Sequence, residues 1–332
     1  MKKLINKIDD VVAEALKGLS AAHSDTVRAI PESRVVVRAS SSSPKVVLIS
    51  GGGSGHEPLH CGFVGYGMLD AACAGEIFTS PTPDQICSAV HEVNGGRGVL
   101  FLVKNYSGDI MNFKIAREIL EGEGVDVESV VICDDVSVTD STWTVGRRGV
   151  GGTVFIEKIA GAYAETGASL NDVKSLADRV NANVRTMGAA LTSCTVPAVG
   201  RPTFGLGDDE IELGIGIHGE PGRARVKMSS SAEIVEYIAG AVVDDLPFRP
   251  GDEVAVLVNG MGGTPLIELY IVYNDLKQFL GGRGIKIGRN LVGSYITSLD
   301  MQGVSITLLR LDNQMKELWD HPVRTPALCM WR

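Results

Sequence analysis

Four side chains in this 332-residue chain combine a reactive type with a telling position: His56, Lys104, Asp109 and His218, each just beyond an apolar run. His56 lies in "LISGGGSGHEPLHCG", which carries an H-E-x-x-H pattern from His56 to His60 behind Gly51, Gly52, Gly53 and Gly55. A zinc site would need both histidines one turn apart on a helix, with Glu57 as general base. Pro58 sits inside the pattern, and proline in a helix interior costs about 3 kcal/mol. His56 is therefore expected at or before a helix start, off the face that His60 would occupy. No metal is expected, and His60 reads as a packed or half-exposed histidine. The phosphate-loop pattern fails as well, because no Lys-Ser or Lys-Thr follows the glycines, and G-x-G-x-x-G fails at His56. Two readings remain: a plain glycine turn between strand and helix, or a turn that lets backbone approach a small ligand, with helix N–H groups favouring its oxygens and His56 facing it.

His218 ends "EIELGIGIHGEPG", where Ile211, Leu213, Ile215 and Ile217 alternate with Glu210, Glu212, Gly214, Gly216 and His218. On a strand, His218 would share its face with two positions that lack side chains, leaving room over the imidazole. Two readings stay open: a solvent-facing histidine at a turn, or a nucleophile or proton carrier under a ligand. In "LVKNYSGDIMNF", Asp109 has the type to take a hydroxyl proton in a phosphoryl transfer, though Lys104 and Asp109 taken singly read equally as solvated loop charges. Asp134, Asp135, Arg147 and Arg148 occupy similar positions, and a structural or surface role is expected for them.

The elements that must position these residues alternate from residue 45 onward. "KVVLIS", "GVLFLVK" and "VESVVICDDVSV" read as strands, and "PTPDQICSAVHEV" and "MNFKIAREILEGEG" as helices. This succession predicts a mostly parallel sheet covered by helices, with ligands beyond the carboxyl ends of its strands. The loops at 51–56, 104–109 and 134–140 would then lie near one another. A polar helix is predicted to run through "SLNDVKSLADRVNANVRTMG", with a domain boundary near residue 185. The first α/β domain spans 1–185. A smaller mixed α/β domain follows over 186–332, with the alternating strand, a helix at 230–244, strand "DEVAVLVNG", a long helix after "GMGGTP" and strands near 291–297 and 304–310. The N-terminal residues Leu4, Ile5, Ile8, Val11, Val12, Ala15, Leu16 and Leu19 recur at helical spacing, which predicts an amphipathic helix docked on the first domain.

Composition narrows the function classes. A formal charge of −9 argues against a phosphate-backbone binder, so no nucleic-acid partner is expected. No apolar run reaches the ~18 to 20 residues of a membrane span, and no secretory signal is seen, so a cytoplasmic protein with no membrane association is expected. The six cysteines, Cys61, Cys73, Cys87, Cys133, Cys194 and Cys329, form no C-x-x-C pair and read as buried thiols.

Taken in order, "SGGGSGHEP", "GEIFTSPTP", "KNYSGD", "GRRGVGGT", "CTVPA", "GIHGEPG" and "TSLDMQG" closely resemble the dihydroxyacetone kinase family and, within it, the substrate-binding K subunit. The likeness runs from the N-terminal helix to the closing "TPAL". It implies that dihydroxyacetone binds covalently, its ketone carbon on Nε2 of His218 as a hemiaminal, which rejects glycerol. It implies Asp109 as base for the phosphorylated hydroxyl and His56 as acid or base at the hemiaminal oxygen. Gly53, Ser54, Gly55 and Lys104 match the remaining substrate contacts. Family members that use ATP directly carry an all-helical nucleotide domain in the same chain. Because this sequence ends after the substrate unit, the resemblance implies the phosphoenolpyruvate-dependent bacterial form. There, a separate L subunit carries ADP with Mg, an M subunit rephosphorylates that ADP, and the K subunit itself holds no cofactor. A homodimer pairing with two L subunits is expected. The alternative within the family is a non-enzymatic dihydroxyacetone-binding paralogue that activates a transcription regulator.

Overall fold

The computed structural model describes residues 2–40, 44–138 and 145–331. Two compact units emerge, and they interleave along the chain instead of meeting at one boundary near residue 185. One takes Lys2–Ile132, Thr153–Val180 and the chain from Gln314 onward; the other takes Cys133–Gly152 and Asn181–Asn313.

The first unit begins with helix α1 (Val11–Ala22), which buries Val12 and Leu16, one turn apart. Leu4 and Ile5 precede this helix, and a 3-10 turn at Ile8–Asp10 intervenes, so the amphipathic pattern overstates its length. There follow β1 (Val27–Ile30), β2 (Val35–Arg38), β3 (Val47–Ser54), β4 (Ala71–Ile77), α2 (Pro83–Val93), β5 (Val99–Lys104), α3 (Ser107–Gly122) and β6 (Val127–Ile132). The sheet order is β1-β2-β4-β3-β5-β6. The pairs β4–β3, β3–β5 and β5–β6 are parallel, and β1 and β2 add an antiparallel edge. Its central strands are nearly continuous apolar runs because helices pack against them, and Phe101 of β5 meets Phe113 of α3 edge-to-face at 5.1 Å. Helices α4 (Gly152–Glu165) and α5 (Leu170–Ala182) belong mostly to this unit.

The second unit is built on a mixed sheet. It contains β7 (Val184–Ala190), β8 (Glu210–Leu213), β9 (Ala224–Lys227), α6 (Ser231–Asp245), β10 (Glu253–Gly260), α7 (Leu266–Gly282), β11 (Lys286–Gly293) and β12 (Gly303–Arg310). The order is β11-β10-β12-β7-β8-β9, with only β10–β11 parallel. Ser230 caps α6 with a reciprocal Ser–Glu233 box, a start signal visible in the sequence. The predicted helix through Gly188 stops at Ala182 instead. "VRTMGAA" is strand β7, held between β12 and β8, where cross-strand pairing overrides the helical pattern. The chain then returns to the first unit with α8 (Asn313–Asp320) and the small pair β13 (Val323–Arg324) and β14 (Cys329–Met330).

Cys61, Cys73, Cys87 and Cys194 are buried as expected, but Cys133 and Cys329 are exposed, the first just past the end of β6 and the second in the short terminal pair. Among the described residues, no helix is long and apolar enough to cross a membrane, and no three His, Cys, Asp or Glu side chains gather as metal ligands.

Candidate active site

The first cluster forms at the carboxyl ends of the parallel strands. The glycines are not a free loop: Gly51, Gly52 and Gly53 belong to β3 and pair with β4, and the register slips between Gly53 and Ser54. Each glycine has a neighbour where a side chain would stand. A Cβ on Gly52 would collide with Lys104 Nζ and lie 3.6 Å from Asp109 Oδ2; one on Gly53 would come within 2.5 Å of Thr79 N. Close approach by the protein itself is the first need these glycines meet. The Ser54 hydroxyl donates to Gly75 O at 2.7 Å, and Gly55, at φ 104°, donates its N–H to the Glu57 carboxylate at 3.0 Å.

No α-helix follows this segment. Residues 57–60 form turns and only a 3-10 turn at Cys61–Phe63 comes after, so there is no helix N-terminus here and no helical face for a zinc pair. His56 is 1% exposed, and its ring stacks on Phe78 at 5.0 Å and 14°. Phe78 has φ 56°, a conformation uncommon for a bulky residue and one that tends to be held where function needs it.

Lys104 and Asp109 are also not solvated loop charges. Lys104 is the last residue of β5, Asp109 stands in the first turn of α3, and both are buried. Nζ of Lys104 lies 3.5 Å from Asp109 Oδ2 and 5.6 Å above the Tyr106 ring. Asp109 Oδ1 is buried and has no hydrogen-bond partner among the described residues. An unmet buried acceptor costs about 1–3 kcal/mol, which a bound hydroxyl would return. The structure therefore brings Gly53, Ser54, Gly55, His56, Lys104 and Asp109 into one unit, and the loops at 51–56 and 104–109 meet as expected. Asp134 and Asp135 belong to the other unit, and residues 139 and 140 of the third loop lie outside the described residues.

His60 is fully packed. Its Nδ1 lies 2.6 Å from Glu157 Oε1 on α4. Burial raises the Glu157 carboxyl well above the usual carboxylate range, the Lys104 charge and the Ser50 hydroxyl opposing it only in part. Burial, then the charges of Lys104 and His56, hold His60 well below the ordinary histidine range. The contact thus joins a neutral acid, which donates, to a neutral imidazole. The folded protein keeps the Glu157 proton at pH values where the unfolded chain, with a pKa near ~4.3, has lost it. Folding therefore loses stability from this group as pH rises from the unfolded value to the raised folded one. Glu157→Gln, which keeps shape and a donor, is expected to remove that slope. Its Tm relative to the parent protein should climb from about pH 4 toward neutrality. A pH-independent difference would mean that Glu157 is ionised in the fold.

His218 belongs to the other unit and does not lie on a strand. β8 stops at Leu213 because Gly214 turns to φ 82°, and residues 211–217 are all buried, so the alternation seen in the sequence does not produce two faces. The expected vacancy beside Gly214 and Gly216 is filled by the protein: Ser137 lies against Gly214, and Glu220 and Arg148 lie against Gly216. The side chain of His218 is 17% exposed. Glu220 grips this residue twice, with Oε2 accepting His218 N–H at 3.0 Å and Oε1 standing 2.9 Å from Nδ1. Burial by itself would raise the Glu220 carboxyl, but the charge and hydrogen bond of His218 and the Arg148 guanidinium outweigh it and bring it to about 2. An ionised carboxylate only accepts, so Nδ1 carries a proton, and in the neutral form of the ring the lone pair then lies on Nε2.

The model of the Dak1 domain matches residues 17–327, nearly the whole chain. This chain belongs to the dihydroxyacetone kinase family. Among its relatives, the dihydroxyacetone-binding subunit DhaK of a PTS-dependent dihydroxyacetone kinase of Listeria innocua is 49% identical over 98% of both chains. The corresponding subunit of a PEP-dependent kinase of Escherichia coli is 50% identical over 99% of both. Among solved structures, a dihydroxyacetone kinase operon co-activator has a TM-score of 0.92 at 34% identity, covering 98% of this chain and 100% of its own. The dihydroxyacetone kinase of C. freundii has a TM-score of 0.89 at 34% identity, and 99% of this chain spans 60% of that one.

Within this kinase-family fold, several residues of the two clusters carry little or no sequence signal. Glu220 sits in the quoted "GEPG", and its i+2 spacing from His218 is the one cue available. Glu157 lies 97 residues from His60, and Phe78 is likewise remote in sequence from its stacking partner His56. Neither spacing leaves a local pattern to read. The four loop charges given a structural role divide. Asp134 accepts the N–H groups of Val150 at 2.8 Å and Gly152 at 2.7 Å, at the start of α4, and Arg147 pairs with Asp245 of α6. Asp135 and Arg148 are buried, as Asp134 is, and differ from it in that Arg148 stands beside Glu220.

Proposed function

We propose that this chain is the dihydroxyacetone-binding subunit of a dihydroxyacetone kinase, holding the triose as a hemiaminal on His218 and presenting its hydroxyl for phosphorylation. The observation that carries this reading is the pairing of His218 with Glu220, because a carboxylate held at Nδ1 directs the lone pair of the neutral imidazole to Nε2. In the proposed step, the Nε2 lone pair forms a bond to the ketone carbon and the C=O π pair moves to oxygen, which takes a proton from His56. Glycerol has no carbonyl and cannot follow this route. Asp109 then accepts the proton of the hydroxyl whose oxygen attacks phosphorus, and ADP leaves. Lys104 sits beside that carboxylate, 3.5 Å away, and Gly53, Ser54 and Gly55 supply the remaining contacts.

The phosphoryl donor in this reading is nucleotide carried with Mg by a separate L subunit and recharged from phosphoenolpyruvate through an M subunit. Support comes from the relatives named as subunits of PTS- or PEP-dependent kinases, which match over nearly their whole length. A symmetric homodimer is proposed as well, closed two-fold assemblies being the commonest among soluble oligomers. The co-activator structure favours a second reading, a dihydroxyacetone-binding regulator without turnover. Turnover needs a base at the hydroxyl, and the buried Asp109 Oδ1 is placed to serve as one. Reconstitution separates the two: dihydroxyacetone phosphate is expected from this chain with the L subunit and a phosphoenolpyruvate-driven donor chain, and not from this chain with ATP alone. Adduct formation without turnover under the full set of components would favour the regulator.

A further inference from the structure

Behind the His218–Glu220 pair, Arg148 and Asp135 continue a line of alternating charge. Arg148 is 0% exposed, its Nε donates to Asp135 Oδ2 at 2.7 Å, and its Nη2 donates to Gly214 O at 2.7 Å. Its Nη1 and Glu220 Oε2 both occupy the space where a Gly216 side chain would be. Asp135 also accepts the Ser137 N–H at 2.8 Å and is 2% exposed. A guanidinium buried this completely requires anionic partners, and Asp135 and Glu220 supply them.

We propose that Arg148, clamped by Asp135, is a positioning residue for His218 that acts through Glu220. This inference rests on the reading that His218 carries the covalent attachment. Arg148 adds to the charge and hydrogen bond of His218 in keeping Glu220 ionised and a poor base, so the carboxylate orients the imidazole without removing the Nδ1 proton. When Nε2 bonds to the ketone carbon, the ring becomes an imidazolium that still carries Nδ1–H, and its new charge faces the Glu220 carboxylate. Asp135 offsets the Arg148 charge that would otherwise oppose this development. Gly216 is then required for a stated reason: any side chain there would displace the carboxylate or the guanidinium.

Two measurements test the inference. Nitrogen NMR of His218 in the protein without any triose should show the Nδ1–H tautomer, and Arg148→Lys or Asp135→Asn should shift it toward a mixture. Carbon NMR with labelled dihydroxyacetone should show the ketone signal replaced by that of a tetrahedral carbon. Arg148→Lys should weaken this adduct by about tenfold, the low end of what losing an outer partner of a metal-ligating histidine costs. Because Arg148 acts through Glu220, the same substitution in a Glu220→Gln background should cost little more. A folded Arg148→Lys protein with the parent tautomer and adduct strength would overturn the proposal, as would equal losses in both backgrounds. Should Arg148→Lys fail to fold, Asp135→Asn decides by the same two readouts. If the parent protein forms no adduct, the covalent reading fails, while the triose-free tautomer still decides the relay.

Discussion

Replacing His218 by alanine is expected to abolish the hemiaminal and to lower phosphoryl transfer by at least about a thousandfold. A triose offers only about six non-hydrogen atoms, and the best tiny ligands gain no more than about 1.5 kcal/mol from each. Most of its surface is polar and already satisfied by water, so non-covalent contacts alone hold it weakly. A covalent bond fixes the reacting hydroxyl in place, and such fixing is worth about 7–11 kcal/mol when the geometry is productive. His218→Ala removes the bond and leaves Glu220 with Arg148 still beside it, so the fold should persist. Intact mass and carbon NMR with labelled dihydroxyacetone read the result directly. An alanine variant that kept the same adduct would place the attachment elsewhere.

The two clusters differ in how far the sequence reveals them. Lys104 and Asp109 follow the apolar run of β5, and strand-to-helix junctions of a parallel sheet are where ligands are expected. Their positions could therefore be read before their contacts. The glycines of β3 were visible too, but not their work, because Cys73, Lys104 and Thr79 fill the places of their missing side chains from distant points of the chain. Around His218, period-two alternation promised a strand that Gly214 ends. Arg148 and Asp135 precede Glu220 by 72 and 85 residues, and no local pattern encodes such a pairing. Likewise β7 carries a helix-like pattern and becomes a strand only because β12 and β8 flank it. Local periodicity finds elements whose own faces decide them and misses those decided by their neighbours.

Asp109→Asn separates attachment from transfer. The amide keeps the shape of the carboxylate in the first turn of α3 but cannot take a proton. Hemiaminal formation in the proposed mechanism depends on His218, Glu220 and His56, so the adduct should form at nearly its normal strength. Phosphoryl transfer should fall by about 10²–10⁴-fold, the range a positioned base contributes. Lys104, buried 3.5 Å from the carboxylate, would lose its anionic neighbour, and a clear drop in Tm is expected alongside. Comparing adduct strength by carbon NMR with turnover in the reconstituted system distinguishes the two effects. Unchanged turnover would remove Asp109 as the base, whereas loss of the adduct together with turnover would make it a binding residue for the triose instead.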